Sequence, residues 1–441
     1  MLVFVTIIFL FHIYMCLVKP VYGFCSLLAI KILVPDNVRI IFLPLSLNSF
    51  CSITLLITYL YHLIRGKETL RYLHNYLAQY ILIYIIFSLF VTLFANYTPF
   101  EMQIHNVFMY LFLQIVPIIM MIAIIRTPHD LRLITNVFVV SFIICTFYGI
   151  TCFLTGLPYP YNSWFANYFD VARGANYDQI EEMAGISGRI IGTSTSDSWA
   201  FGMVIGIAFM ISYIINNYKK SKTTLVCCLL CIIAVFFTVR RTPILTFFSF
   251  FILLFFFNQK SRTYFYRVLR YFFVVVIAAL LLIYYVPFFA PFKNIIETVF
   301  FFWDDSVALA NDVGGSSFEY RLFQLKYTIN HVADSPLFGM GWGAMYYKGA
   351  HPDMNGWESI IFTTLFQSGY FGVIFTAGLF WAFYRYSIVR SRNRALAKAF
   401  ILSSLVFCIV NDTIYPFYIF FGCVLLNKLS TLGLSNKTVV I

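Results

Sequence analysis

Apolar runs separated by short basic connections or longer polar ones fill most of the chain. They lie near residues 43–64, 74–95, 103–125, 132–155, 198–216, 223–239, 243–257, 271–290, 357–386, 396–411 and 414–428. Runs of roughly 17–25 apolar residues suffice to cross a hydrocarbon core of about 30 Å. In lipid such runs must be helical, because each backbone polar group has to find its partner within the segment. The first 35 residues add one span or two, depending on whether Lys19-Pro20 separates two short helices or interrupts an irregular one. Met1 to Val18 lacks the basic start and small-residue cleavage site of a signal peptide and reads as a retained span or anchor. The expectation is an all-α polytopic membrane protein of about 12 transmembrane helices, forming a single integral membrane domain over 1–441.

Charge orients these spans. Lys and Arg crowd alternate connections: Arg65, Lys67 and Arg71; Arg126 and Arg132; Lys219, Lys220 and Lys222; Lys260, Arg262, Arg267 and Arg270; Arg385, Arg390, Arg392, Arg394 and Lys398. By the positive-inside rule these face the cytoplasm, as does the C-terminal end with Lys428 and Lys437. The net charge of +12 is therefore topological, and no nucleic-acid partner is implied. With 61% hydrophobic and only 11% charged residues, a soluble fold is excluded, since soluble chains carry about a quarter charged residues. All ten cysteines fall in or beside apolar runs; Cys227, Cys228 and Cys231 read as small hydrophobes rather than metal ligands.

The opposite face receives two long polar segments, 156–197 and 291–356, rich in Gly, Asn, Asp, Ser and Tyr. Loops this long are usually functional or disordered, and Trp164, Trp303 and Trp342 argue for order. Rings beside carboxylates and amides suit sugar binding; an interfacial aromatic belt is the alternative for any single ring. Polar groups gathered outside rather than at mid-membrane, with no internal repeat, weigh against a flippase or other transporter.

Three places could carry chemistry. Arg240-Arg241-Thr242-Pro243 stands on the external side between two short apolar runs, against the charge bias. An arginine in the membrane costs at least about 2.5–3.5 kcal/mol unless compensated. Thr242 can cap the next helix and Pro243 begin it, so arginines flanking that N-terminus form an anion site. The other reading is a tight turn whose arginines reach lipid headgroups. Next, Phe318 to Asn330 has apolar groups at 318, 322, 325 and 329, predicting an amphipathic helix on the membrane face that stops at Asp334-Ser335-Pro336. Arg321 borders that stripe, and Gly339-Met340-Gly341 after it signals a tight backbone approach. Third, Glu358 stands at the mouth of an apolar span, where an acid is a candidate general base or else a helix-starting carboxylate. His351 lies in the loop before it.

Taken together these motifs resemble the family of O-antigen polymerases and O-antigen ligases. Arg240-Arg241-Thr242 resembles the family's Ser-Arg-Thr-like motif opening a span. Arg321 with Pro336-Leu337-Phe338-Gly339-Met340-Gly341 resembles its outer-loop arginine helix followed by Pro-Leu-x-Gly-x-Gly. Glu358-Ser359 with Gly369-Tyr370-Phe371-Gly372 matches a polar pair before Gly-x-x-Gly, and Gly188-Arg189-Ile190-Ile191-Gly192-Thr193 resembles its Arg-x-x-Gly segment. Ligases have His-Asn where Glu358-Ser359 stands, which favours a polymerase.

The resemblance implies a GT-C-type glycosyltransferase in the bacterial inner (plasma) membrane, with its active site facing the periplasm. Donor and acceptor would be undecaprenyl-diphosphate-linked glycans, and a chain-length regulator a further partner. Arg241 and Arg321, with Arg240 or Arg189, would hold the diphosphate; Glu358, or else His351, would act as base; no metal or other cofactor is expected. The ligase that transfers glycan to lipid A–core is the nearest alternative.

Overall fold

The computed structural model describes residues 2–35, 38, 46–68, 75–95, 97–157, 159–169, 190–194, 198–238, 241–258, 270, 274, 277, 281, 285, 318–347, 359–389, 391–410 and 416–433. Regular structure among them is helical. Six helices are long and apolar enough to cross a membrane: α3 (Leu47–Ile64), α4 (Tyr76–Phe94), α5 (Phe100–Ile124), α6 (Pro128–Thr155), α8 (Ser198–Tyr218) and α12 (Ile360–Val389). Beside them run the shorter α1 (Leu2–Val18), α2 (Pro20–Leu33), α9 (Lys222–Phe237), α10 (Arg241–Phe257), α13 (Arg394–Val410) and α14 (Pro416–Leu432). Two further helices, α7 (Pro160–Phe169) and α11 (Phe318–Val332), belong to the long polar segments. Of the run expected near 271–290, only Val274, Ile277, Leu281 and Tyr285 are described, helical and exposed.

Cross-helix contacts sort the helix ends into two groups. At one end, Lys19 pairs with Asp130 at 3.0 Å and Arg126 with Glu68. There too, Lys428 Nζ donates to the carbonyls of Ile122 (3.0 Å) and Ile125 (2.6 Å), and Arg385 stacks over the Tyr76 ring. This is the end that gathers the basic connections. At the other, Tyr161 and Thr193 donate to Leu33 O and Ile32 O, Phe4 touches the Trp164 ring, and Tyr97 donates to Asp334 O. The helices therefore run alternately between a basic end and a polar-loop end.

Lys19-Pro20 resolves into the turn of a helical hairpin. Gly23 lets α2 close on α1, for a Cβ there would lie 2.5 Å from Cys16 Sγ. Buried His12 ties the hairpin to α3 through Ser26 Oγ (2.7 Å) and Cys51 O (2.9 Å). Such bonds matter in lipid, where an unpaired polar group costs several kcal/mol. A π-helical turn at Leu111–Ile115 interrupts α5, and buried Lys31 donates to its Leu113 carbonyl at 3.0 Å. The ten cysteines are all free and buried, in keeping with small hydrophobes.

Candidate functional site

The centre of the polar-loop end is a break in α12. Gly369 adopts φ 64° and ψ −163°, conformations closed to residues with a Cβ, and divides an outer half-helix from the inner remainder. The break leaves backbone groups without helical partners, and the turn after α11 supplies them. Met340 N–H donates to Phe366 O (2.8 Å) and Gly341 N–H to Gln367 O (3.0 Å), while Tyr370 N–H donates to Pro336 O (2.8 Å). Gly339 also lies in the left-handed region, at φ 67°, and a Cβ on it would sit 2.6 Å from both Gly369 N and Phe366 O. The glycine motif at 339–341 and that at 369–372 are thus two halves of one backbone interlock. Thr98 Oγ1 anchors the turn from α5's side by donating to Met340 O at 2.7 Å, and the Trp342 ring packs on Tyr110.

Helix α11 runs as its spacing predicts and ends before Asp334. Leu322 and Ile329 of the apolar stripe face outward. The opposite side packs on α12: Gln324, Thr328 and Val332 are fully buried, and Tyr327 and His331 stack on each other at 4.0 Å beside Phe366. Arg321 lies three residues before Gln324 on this inward stripe and is half-buried. Periodicity alone could place Arg321 only at the border of the apolar stripe; its polar companions Gln324, Thr328 and His331 went unmarked, although their i, i+4, i+7 spacing was the available signal.

Ser359, next to Glu358 in sequence, is buried at the start of α12 and accepts from Ile361 N–H at 3.2 Å. Glu358 and His351 themselves lie outside the described residues.

The other arginine motif falls between the end of α9 and the start of α10. The helix begins at Arg241, so Thr242 and Pro243 sit within its first turn instead of capping and starting it. Arg240 and Arg189 lie outside the described residues. Ile190, adjoining Arg189 in sequence, donates its amide to Phe237 O at 3.2 Å, which brings that segment to the end of α9. Tyr159, itself at φ 47°, holds the same segment by accepting the Ile191 amide at 3.2 Å; burial raises its phenol to about 12, so it stays a neutral hydroxyl. Gly202 of α8 admits Pro243 closely, for a Cβ would lie 2.8 Å from its Cγ. Arg241 and Arg321 therefore stand at the same end of the bundle, on helices linked through α13 and α12: α10 packs on α13, and α11 on α12.

Residues 226–384 match the O-antigen ligase family. The O-antigen ligase match takes in Arg240-Arg241, Arg321, both glycine halves of the interlock and Glu358, and it leaves out Arg189. It is the same family of O-antigen polymerases and ligases that the motifs resemble. No curated protein matches the chain.

Proposed function

We propose that the chain is a surface-polysaccharide polymerase of the O-antigen type, an inverting, metal-independent glycosyltransferase. It would have about 12 spans in a GT-C-like arrangement, sit in the inner membrane and work at the periplasmic face. The observation that carries the proposal is the enclosure, within the O-antigen ligase match, of an interlock that fixes two candidate elements together. These are the turn that follows the Arg321 helix and the broken middle of α12, the span that Glu358 precedes in sequence.

In this reading, undecaprenyl-diphosphate-linked glycans bind as donor and acceptor. The acceptor hydroxyl oxygen attacks the anomeric carbon of the donor sugar as the bond from that carbon to the diphosphate oxygen breaks. The diphosphate leaves with the electron pair, and Arg241 and Arg321, with Arg240 or Arg189, offset the charge it gains. Guanidinium forks match phosphate oxygens, and fixed cations facing a developing anion lower the barrier without a metal ion. Glu358, or else His351, takes the hydroxyl proton. Attack opposite the leaving group inverts the configuration. A separate chain-length regulator would set how often the cycle repeats.

The ligase reading has one observation in its favour, the family's own description as O-antigen ligase. Against it, Glu358-Ser359 stands where ligases resemble one another in having His-Asn. A lipopolysaccharide gel of a deletion strain decides between them. Core bearing a single repeat unit is expected for a polymerase; bare core assigns the chain to ligation, and an unchanged ladder removes it from both.

A further inference from the structure

We propose that a cleft at the basic end of the bundle, where α8 turns into α9, binds the phosphate of an anionic phospholipid. This site lies at the opposite end from the glycan-transfer residues and does not depend on them.

The cleft has a volume of about 400 Å³ and is lined by Tyr213, Asn216, Asn217, Lys220, Lys222 and Leu225. That is within the size range of small-ligand sites, which span about 300–1,000 Å³. Its charge is one-sided. No Asp or Glu occurs between Asp197 and Glu297, and the ion pairs among the described residues, Lys19–Asp130 and Arg126–Glu68, leave Lys220 and Lys222 uncompensated. Both lysines are exposed. The side chains of Asn217 and Tyr213 add hydrogen-bonding groups suited to phosphate or glycerol oxygens. Asn216 spends its Oδ1 on the Ser221 amide (3.4 Å), which shapes the turn and leaves its amide nitrogen to donate. At the cap of α9 the Ser221 side chain makes no capping bond to the helix, so the first amides of that helix also remain for an anion.

What decides for a lipid over free phosphate is the surface directly beneath. Leu225 lines the cleft and begins an exposed apolar row on α9, with Leu229 and Ile233 following at four-residue intervals toward the middle of the bundle. A cationic, amide-rich head site above a lipid-facing apolar groove matches a molecule with a phosphate at one end and acyl chains below. Basic pockets between helices on one membrane face recognise anionic headgroups in this way.

The test uses the full-length protein purified in micelles of phosphatidylglycerol and phosphatidylcholine, with retained lipid counted by native mass spectrometry. Each lysine lining the cleft should add about fivefold to the retention of an anionic headgroup, so the Lys220→Gln/Lys222→Gln double variant should retain phosphatidylglycerol about 25-fold more weakly. Lys219→Gln, whose side chain does not line the cleft, should behave as the unaltered protein. Leu229→Asn should weaken retention as well, and inorganic phosphate at millimolar concentration should fail to displace the lipid. Equal unfolding temperatures in phosphatidylcholine alone establish that the variants are folded. Unchanged retention in the double variant would overturn the site. Displacement by inorganic phosphate, or indifference to Leu229→Asn, would overturn the lipid and leave a simple anion cleft.

Discussion

Gly339 and Gly369 meet backbone to backbone: a Cβ added to the first would lie 2.6 Å from the amide nitrogen of the second. Both residues have positive φ, so a side chain at either is strained as well as obstructed. Gly339→Ala and Gly369→Ala should each cost about 3 kcal/mol or more, adding backbone strain to overpacking. Gly66 provides the control, since it has φ 69° with nothing within 4 Å of the added Cβ. Gly66→Ala should cost only about 1–2 kcal/mol. Thermal unfolding in detergent measures all three, and equal losses would mean that the interlock contributes nothing beyond local strain.

Arg321 shares the inward stripe of α11 with buried Gln324 and Thr328, and its proposed role is to hold the leaving diphosphate. Arg321→Ala should reduce chain elongation at least 100-fold, the scale expected for losing one charge-stabilising donor, while protein remains in the membrane. Arg321→Lys should recover only part of the activity because a point charge cannot reproduce the bidentate fork. Arg241→Ala should be equally inactive. Complementation of a deletion strain followed by a polymer gel reads all three; near-normal long polymer from either alanine variant refutes the diphosphate role.

Glu358→Gln should abolish elongation if Glu358 is the base. If that variant makes polymer while His351→Ala makes none, the proton goes to His351 instead. The two single variants, assayed side by side for polymer length, make this assignment.

Thr328 is fully buried, and its Oγ1 has no hydrogen-bond partner among the described residues. Replacing an unsatisfied hydroxyl by a methyl of the same shape removes a desolvation penalty of about 1–3 kcal/mol. Thr328→Val should therefore raise the unfolding temperature. A fall would show that the hydroxyl is bonded after all and contributes to stability.

Asp130 closes a capping box with Thr127, accepting its amide (3.1 Å) and hydroxyl (2.8 Å), and also pairs with Lys19 across the hairpin. Lys19 is half exposed, so Lys19→Gln should cost at most about 1 kcal/mol. Asp130→Ala should cost about 2 kcal/mol, because the reciprocal half of the capping box is lost along with the ion pair, while Thr127 still accepts from the backbone amide of residue 130. A double-variant cycle on thermal stability separates the two contributions.

How much of this was legible beforehand differs by element. Apolar runs located the described helices to within a few residues, as at Tyr76–Phe94 against the expected 74–95, because lipid leaves helices as the only solution; six of these are long and apolar enough to cross a membrane. The π-turn in α5 left no trace in hydrophobicity, since Leu111–Ile115 is part of one uninterrupted apolar run apart from Gln114. Glycine spacing announced a close backbone approach at 339–341, yet not its partner: Gly369 is about 30 residues further on, inside an apolar run. The inward side of α11 was hardest to foresee. There the apolar stripe turns outward and the polar one packs on α12, the reverse of a helix on a soluble core.

The broken helix also orders events during synthesis. The turn from Pro336 to Gly341 leaves the ribosome before Phe366 to Phe371, yet each supplies the backbone partners the other lacks. A nascent α12 that reached the bilayer first would bring an opened helical turn into hydrocarbon with its amides and carbonyls bare. The opened turn of this span is therefore fully satisfied only once the preceding segment lies on its own side of the bilayer.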